Sequence, residues 1–173
     1  MKAVVFIAKQ EFKDETLASI RSMLKKWGVD YDISSYSSSE CVGYHGAVCK
    51  PDINASSIRS ADYDAIILVD GPGVDKHRLF EYRPLLDIVR DFFSQKKPVL
   101  GIGNAVKIIA RTNIIRDAKM AMPADKEVEN MIRLYSGVIT RNSVESSNGI
   151  ITARGSSDSM EAAIRLLEKL GLK

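Results

Sequence analysis

The sequence contains little of what several protein classes require. Its 173 residues include two cysteines, Cys41 and Cys49, which are too few for a disulfide-stabilised scaffold of this length. No apolar run approaches the roughly 20 residues that a membrane-spanning helix needs. The short apolar run at the start passes into the polar residues 9–14 without a small-residue cleavage site, which predicts a buried strand rather than a signal peptide. We therefore expect a cytoplasmic protein.

Positive charge is not concentrated in any segment. The chain has 25 basic and 22 acidic residues and a formal net charge of +3, but its longest basic runs are the pairs Lys25–Lys26 and Lys96–Lys97. A nucleic-acid groove needs basic residues clustered on one face, commonly with aromatic residues between them. We therefore expect no nucleic-acid partner, and the lack of a long apolar run leads us to expect no membrane partner either.

Strand-like and helix-like patterns alternate along the chain. The continuous apolar runs at residues 3–8 and 65–69 are typical of strands buried on both faces of a parallel sheet. Apolar residues at helical spacing follow, and Gly28 stands where the first helix should end. No linker, repeat or low-complexity segment interrupts residues 1–173. The sequence therefore predicts one α/β domain with helices on both faces of a mostly parallel sheet.

The second half has weaker patterns. Residues 137–140 and 149–154 are predicted as strands, and a last helix is predicted to start at Asp158 with Glu161 as its capping-box partner. The apolar stripe predicted for that helix consists of Met160, Ala163, Ile164 and Leu167. The alternating carboxylates of the preceding polar stretch, predicted to lie on a solvated helix face, are Asp125, Glu127 and Glu129.

Residues 97–110 combine a buried strand, a sharp turn and a helix, which is the geometry of a nucleophile elbow. The turn residue is Gly103, which has no side chain and cannot attack a substrate. The next residue, Asn104, is a candidate cap, and the free amides of the helix start could hold a small anion. Gly101 and Gly103 also resemble the start of a dinucleotide fingerprint, but Val106 replaces its third glycine. We therefore expect no nucleotide cofactor.

Cys41, His45 and Cys49 form an evenly spaced series. Structural zinc sites have closer cysteine pairs and a fourth ligand, so we expect no metal cofactor. A disulfide between the two cysteines across a hairpin remains an alternative. Either thiol could also replace the missing nucleophile if the fold brings it to the elbow.

In order and spacing, the segments resemble the DJ/PfpI superfamily of intracellular proteases, amidases and deglycases, which are related to class I glutamine amidotransferases. The resemblance covers almost the whole chain. It is carried by Glu-Phe-Lys-Asp at 11–14, Gly-Tyr-His-Gly at 43–46, and the segments 63–71, 97–99 and 151–155. It implies a flavodoxin-like three-layer sandwich with a mostly parallel central sheet and helices on both faces.

This sequence departs from the superfamily where the chemistry is expected. Active members carry a cysteine at the elbow, where this chain has Gly103. Their glutamate on the first helix falls on Thr16, with Glu15 beside it. Protease-type members take a further acid from the loop after a Gly-Gly turn; Asp75 is the nearest match, and Asp70–Gly71 replaces the glycine pair.

These departures favour a non-catalytic member that binds a small ligand or serves as a scaffold. The ligand-binding residues predicted for it are Gly103, Asn104, Thr16, Glu15 and Gly71. The alternative is a cysteine-independent hydrolase or glyoxalase/deglycase-like enzyme in which Glu15, Asp75 or His77 activates water. A third hypothesis is a structural subunit assembled with an active paralogue.

The resemblance also implies self-association, because superfamily members are commonly dimers or larger rings. A homodimer or larger ring is therefore expected here. Apolar residues that could serve an interface or pack in the core are Met120, Met122, Met131 and Ile132.

Overall fold

The computed structural model describes residues 1–172, and its strands and helices follow the alternation expected from the sequence. The strands in chain order are β1 (Lys2–Phe6), β2 (Gln10–Phe12), β3 (Asp30–Ser35), β4 (Cys41–Gly43), β5 (Val48–Cys49), β6 (Ile53–Asn54), β7 (Ala65–Leu68), β8 (Val99–Ile102), β9 (Lys119–Met120), β10 (Val138–Ile139), β11 (Val144–Ser147) and β12 (Ile150–Ala153). The α-helices are α1 (Asp14–Lys26), α2 (Pro72–Lys76), α3 (Arg83–Ser94), α4 (Val106–Arg111), α5 (Lys126–Leu134) and α6 (Ser159–Lys169).

Seven strands form the central sheet in the order β11-β12-β8-β7-β1-β3-β6. Neighbouring strands are parallel except for β11, which runs antiparallel to β12. Every residue of β7, β8 and β12 is buried, as the continuous apolar runs predict for strands covered on both faces. Helix α1 packs against α6, while α3 and α4 pack together elsewhere on the sheet. The predicted three-layer α/β sandwich is confirmed.

The strand order reverses direction at β1. The chain passes from β1 to β3 on one side and later returns to β7 on the other side of β1. Such a switch point leaves a crevice beyond the carboxyl ends of the strands, and open α/β sheets bind their ligands there. The segments that follow β1, β7, β8 and β12 all begin at this edge.

Two smaller sheets lie outside the central one. The strand predicted at residues 137–140 is the two-residue β10, which pairs with β9 rather than joining the central sheet. Strands β2, β4 and β5 form the other small sheet, in which β4 and β5 are an antiparallel hairpin. Short polar strands such as β11 escaped prediction because tertiary pairing, not apolar patterning, places them.

The last helix differs from its prediction in two details. Asp158 precedes α6 but makes no capping hydrogen bond; its carboxylate lies 3.8 Å from the Arg154 guanidinium instead. The buried face of α6 is also rotated relative to the predicted stripe, because Met160 and Ile164 are exposed. Its buried residues are Ser159, Ala162, Ala163, Leu166 and Leu167.

The segment from residue 120 to 134 contributes mainly to the core. Met120 and Ile132 are fully buried, and Met122 and Met131 pack partly buried against the core, so none of them forms an exposed apolar patch. The carboxylate of Asp125 caps α5 by accepting from the backbone N–H groups of Glu127 and Val128, which corrects its assignment to a solvated helix face. None of the helices within residues 1–172 is long and apolar enough to cross a membrane.

Candidate functional site

An open cleft of 380 Å³ lies at the carboxyl edge of the central sheet, beyond the ends of β7, β8 and β12. Its position matches the switch point of the strand order, which is where ligands bind in this architecture. A larger cleft of 740 Å³ beside α3 lies away from this edge and contains none of the predicted site residues. The smaller cleft is lined by Lys13, Asp70, Gly71, Pro72, Asp75, Gly103, Asn104, Pro123, Ala124, Asp125, Arg154 and Gly155.

Gly103 forms the sharp turn between β8 and the helical segment that leads into α4, as the sequence predicts. Its φ of +56° is a left-handed conformation that glycine adopts with little strain. A Cβ added to Gly103 would lie 2.5 Å from Oδ2 of Asp70 and 2.9 Å from its Cβ. The space that a side chain at this turn would need is therefore filled by Asp70. The absence of a side chain at Gly103 therefore leaves no room for an anion in that volume.

Asp70 is the central site residue that the sequence prediction missed. It follows β7, is almost fully buried, and its backbone carbonyl accepts from the Lys13 N–H at 2.8 Å. Burial raises the pKa of its carboxyl to about 6. The nearby Thr16 hydroxyl and Lys13 ammonium act to lower that pKa, while Glu15 acts to raise it. The sequence signal that could have identified Asp70 is its position, because it replaces the first glycine of the Gly-Gly turn found in protease-type superfamily members.

Thr16 and Asp70 face each other without an ideal hydrogen bond. The Thr16 hydroxyl is fully buried on the first turn of α1, and neither it nor Oδ1 of Asp70 has a hydrogen-bond partner among residues 1–172. The Lys13 ammonium is 4.0 Å from Oδ2 of Asp70 and is therefore only a distant ion-pair partner. Asp70 is thus a weakly satisfied buried acid, which is consistent with its raised pKa.

The sequence predicts Asn104 as a helix cap, but its side chain makes no capping hydrogen bond at the start of α4. It is turned toward Gly71 instead. Its Oδ1 accepts from the Gly71 N–H at 3.0 Å, and its Nδ2 donates to the Gly71 carbonyl at 2.8 Å. The same Nδ2 donates to Oδ2 of Asp75 at 3.2 Å. Gly71 has no space for a side chain, because an added Cβ would lie 2.2 Å from the Glu11 carbonyl oxygen. One side chain thus ties the ends of β7 and β8 together.

Lys107 continues this network beneath the cleft. It lies in α4 with a fully buried side chain and forms ion pairs with Asp75 and, at 3.3 Å, with Glu127, although neither contact has ideal hydrogen-bond geometry. Its ammonium also lies 4.8 Å from the centre of the Phe80 ring. The signal that could have identified Lys107 is a lone cation within the apolar run from residue 105 to 110. Glu127 is exposed on α5, as predicted, and is also an ion-pair partner of Lys107.

The structure brings only some of the predicted site residues together. Asp75 contacts Asn104, but Glu15 and His77 do not line the cleft. Glu15 is half-exposed, with Oε2 3.9 Å from Nε2 of His45. His77 is exposed and lies against the Tyr36 ring, with 5.7 Å between ring centroids.

The evenly spaced Cys-His-Cys series does not form a site at the elbow. Neither Cys41 nor Cys49 lines the cleft, so neither thiol lies beside the turn at Gly103. Within residues 1–172, no group of three or more His, Cys, Asp or Glu side chains is arranged to hold a metal ion. Both cysteines are free thiols in this structure.

Comparison with known proteins identifies relatives whose sequences align with much of this chain. An uncharacterised protein of Methanocaldococcus jannaschii is 28% identical over 154 residues, which cover 88% of this chain and 74% of that protein. A protein of Pyrococcus horikoshii named as a deglycase is 29% identical over 116 residues, which cover 67% of this chain and 69% of that protein.

Solved structures share the fold at lower sequence identity. A ThiJ/PfpI domain protein from Brachyspira murdochii superposes with a TM-score of 0.92 at 23% identity, over 98% of this chain and 96% of that one. Oxidised DJ-1 of Toxoplasma gondii superposes with a TM-score of 0.84 at 21% identity, over 98% and 90% of the two chains. The family model described as the DJ-1/PfpI family matches residues 1–169, and the chain therefore belongs to that family.

Proposed function

We propose that this protein is a non-catalytic member of the DJ-1/PfpI family that binds a small anionic ligand in the cleft at Gly103. The observation that carries the proposal is the position of Asp70. Its Oδ2 lies 2.5 Å from where a Cβ of residue 103 would be, so the chain fills the nucleophile's place with its own carboxylate. A buried carboxylate there would also repel a thiolate.

A second requirement of acyl-transfer chemistry is absent in the same place. An oxyanion hole at an elbow uses the backbone N–H after the turn residue and a second N–H from a neighbouring loop. Gly71 is the neighbouring residue that could supply the second N–H, but its N–H already donates to Asn104 Oδ1 at 3.0 Å. Both the attacking group and one stabilising donor are therefore replaced by contacts within the chain.

The charges around the cleft favour a small anion as the ligand. Three carboxylates line the cleft, of which Asp75 pairs with Lys107 and Asp125 caps α5. The third, Asp70, is buried beside Gly103 and would repel an anion there, so the ligand would bind at the solvent-exposed side of the cleft. The cationic side chains at the cleft are Lys13 and Arg154, both partly exposed to solvent. A ligand carboxylate or phosphate between these two cations would gain charge-assisted hydrogen bonds.

One observation favours the alternative of a cysteine-independent hydrolase or glyoxalase/deglycase-like enzyme. With a pKa of about 6, Asp70 lies in the range where a carboxylate serves as a general base near neutral pH. In this version of the hypothesis Asp70 takes the role that Glu15, Asp75 or His77 was expected to have. The naming of several relatives as deglycases makes methylglyoxal a suitable substrate to test.

Turnover separates the two hypotheses. We expect the purified protein to consume neither methylglyoxal nor a fluorogenic peptide above the buffer rate. If it does consume either one, and Asp70→Asn abolishes the activity while Asp91→Asn on the exposed side of α3 does not, the enzyme hypothesis replaces ours. The Gly103→Cys variant is expected to stay inactive. The double variant Asp70→Gly/Gly103→Cys should gain a thiol that iodoacetamide alkylates, because the opposing carboxylate is gone.

Ligand binding is tested by thermal shift with acetate, glycolate and inorganic phosphate as probes. We expect at least one of them to raise the melting temperature. Lys13→Gln and Arg154→Gln should each weaken that stabilisation at a fixed probe concentration. Lys25→Gln and Arg165→Gln are matched controls outside the cleft and should leave it unchanged. Equal loss in all four variants would indicate general charge screening instead of a site.

Self-association and a cytoplasmic location stay predictions. The structural-subunit hypothesis predicts a partner protein of similar size and no change of melting temperature with small anions. Light scattering of the purified chain at two concentrations measures self-association directly.

A further inference from the structure

The hairpin formed by β4 and β5 places the two cysteines of the chain directly opposite each other. Cys41 pairs with Cys49 in the antiparallel register, and Val42 pairs with Val48 next to them. The sequence contains no other cysteine. This register is a property of the fold that the even sequence spacing alone could not establish.

Both thiols lie on the same side of the hairpin. Side chains alternate between the two faces of a strand. Val42 and Val48 are 44% and 62% exposed, whereas Cys41 is fully buried and Cys49 is partly buried. The cysteine pair therefore faces inward, and the valine pair faces solvent.

The backbone spacing of the pair suits a disulfide. The Gly43 N–H donates to the Ala47 carbonyl at 2.7 Å, so these two residues form a hydrogen-bonded pair of the ladder. Such pairs recur at every second position, which makes Cys41 and Cys49 a hydrogen-bonded pair as well. Their Cα atoms are then about 5.5 Å apart. Disulfides span about 4.4 to 6.8 Å between Cα atoms, so the backbone spacing allows the bond. The side chains of a hydrogen-bonded pair stand farther apart than those of a non-hydrogen-bonded pair, so the two strands must shift slightly to bring the sulfurs together. A disulfide formed in this way is strained and is therefore readily reduced.

We propose that Cys41 and Cys49 are a reversible dithiol–disulfide pair that is oxidised by exchange with small-molecule disulfides of the glutathione type. The Cys49 thiolate attacks one sulfur of the small disulfide, forms a mixed disulfide and releases one thiolate. The Cys41 thiolate then attacks the Cys49 sulfur and releases the second thiolate. Two small-molecule thiols are formed, solvent takes up and supplies the protons, and the protein gains one S–S bond.

The order of these two steps follows from exposure. Cys49 lies on the edge strand of its three-stranded sheet and is partly open to solvent, whereas Cys41 is fully buried and can react only with a neighbour inside the protein. Burial raises the pKa of both thiols; for Cys49, Arg21 acts to lower it and Asp52 to raise it. Exchange at neutral pH is therefore slow, in contrast to that of exposed low-pKa redox sensors.

This pair is separate from the cleft, so it does not depend on the proposed ligand. The hairpin is attached to the start of α1, where the Asp14 carboxylate accepts from the backbone N–H groups of His45 and Ala47 at 2.9 and 2.8 Å. A disulfide would close the open end of the same hairpin. Oxidation is therefore expected to stabilise the hairpin, with no turnover or ligand required to observe it.

The test equilibrates the full chain with mixtures of reduced and oxidised glutathione. We expect the wild-type protein to lose both titratable thiols and the mass of two hydrogen atoms while remaining monomeric on a non-reducing denaturing gel. Its melting temperature should rise by about 5 °C, because the crosslink constrains the unfolded chain. Dithiothreitol should restore both thiols and the original melting temperature.

Single variants identify the reacting sulfur. Cys41→Ser should trap a glutathione adduct on Cys49, and Cys49→Ser should leave the buried Cys41 unmodified. Two free thiols in the wild-type protein under the most oxidising mixture would overturn the proposal. A persistent glutathione adduct on the wild-type chain, or a disulfide between two chains, would also overturn it. The outcomes that would overturn the proposal are all measured on the wild-type protein, so they remain valid even if a variant folds poorly.

Discussion

Asp70 and Gly103 follow the neighbouring strands β7 and β8. The Asp70 carboxylate occupies the volume that a side chain on Gly103 would need. The two residues are far apart in the chain, so no local pattern shows that they share this volume. Gly103 is required for two reasons, its positive φ and the contact with Asp70. These two reasons can be separated experimentally, because Gly149 also has a positive φ but has no atom near the position of an added Cβ.

Gly103→Ala is expected to destabilise the protein by about 3 kcal/mol, since it adds a clash to an unfavourable backbone conformation. Gly149→Ala is the matched control: Gly149 has φ +81°, and a Cβ there would meet no atom within 4 Å. The control should cost about 1 kcal/mol. Urea denaturation measures both free energies of unfolding. Equal costs would mean that Asp70 moves aside freely and does not fill the site.

Asp70→Asn is expected to stabilise the protein at neutral and alkaline pH but not under acid conditions. The pKa of Asp70 is about 6 in the fold against 3.8 for the ordinary group, so the folded state binds the extra proton between these values. Wild-type stability therefore falls as pH rises through that window, by at most about 3 kcal/mol. Melting temperatures of both proteins should coincide near pH 4 and diverge above pH 6. A difference in melting temperature that stays constant across this pH range would contradict the raised pKa of Asp70.

The hairpin of β4 and β5 and helix α1 form one unit at the element scale. The Asp14 carboxylate joins them, because Asp14 begins α1 and accepts hydrogen bonds from two backbone N–H groups of the hairpin loop. Burial acts to raise the pKa of Asp14, but the N–H groups of His45 and Ala47 outweigh it, and the pKa is lowered. Gly43 permits this approach, since a Cβ there would lie 2.3 Å from Oδ1 of Asp14.

Asp14→Ala should destabilise the protein at neutral pH by about 1 kcal/mol, because it leaves two backbone donors to solvent. A carboxyl group with a lowered pKa stabilises the fold above its unfolded pKa and loses that contribution as pH falls through the folded value. The difference from wild type should therefore disappear well below pH 3.8, the ordinary pKa of the group. Denaturation at pH 7 and at acid pH measures it, with Asp91→Ala as an exposed control that should show no such dependence.

At the scale of the whole molecule, the strand order explains where the site lies. The reversal at β1 opens the crevice, and the residues that line it follow different strands. The network of Gly71, Asn104, Asp75 and Lys107 then links the sheet edge to α2 and α4. One continuous core underlies these elements, which makes independent unfolding of any part unfavourable.

We expect the reduced chain to unfold in a single cooperative transition. Trp27, the one tryptophan of the sequence, lies partly buried at the end of α1 and reports on that end of the molecule by fluorescence. Far-ultraviolet circular dichroism reports on all helices and strands. The two denaturation midpoints should coincide in urea with dithiothreitol present. Separate midpoints would show that the chain contains more than one cooperative unit.

The layered α/β fold could be predicted from the sequence alone, because the apolar runs and helical spacings reflect the burial that each strand and helix needs regardless of its neighbours. It also identified the turn at Gly103 and the resemblance to the family. The inward face of α6, by contrast, was rotated from its prediction, since small residues such as Ala162 and Ser159 pack there while Met160 stays exposed.

The contacts that fill the site could not be predicted from the sequence and are seen only in the folded chain. The filling of the turn by Asp70, the link from Asn104 to Gly71 and the burial of Lys107 are contacts between segments distant in the chain. The pairing of Cys41 with Cys49 depends in the same way on the register of two short strands. Periodicity reports which residues are buried, whereas strand order and register determine which buried groups meet.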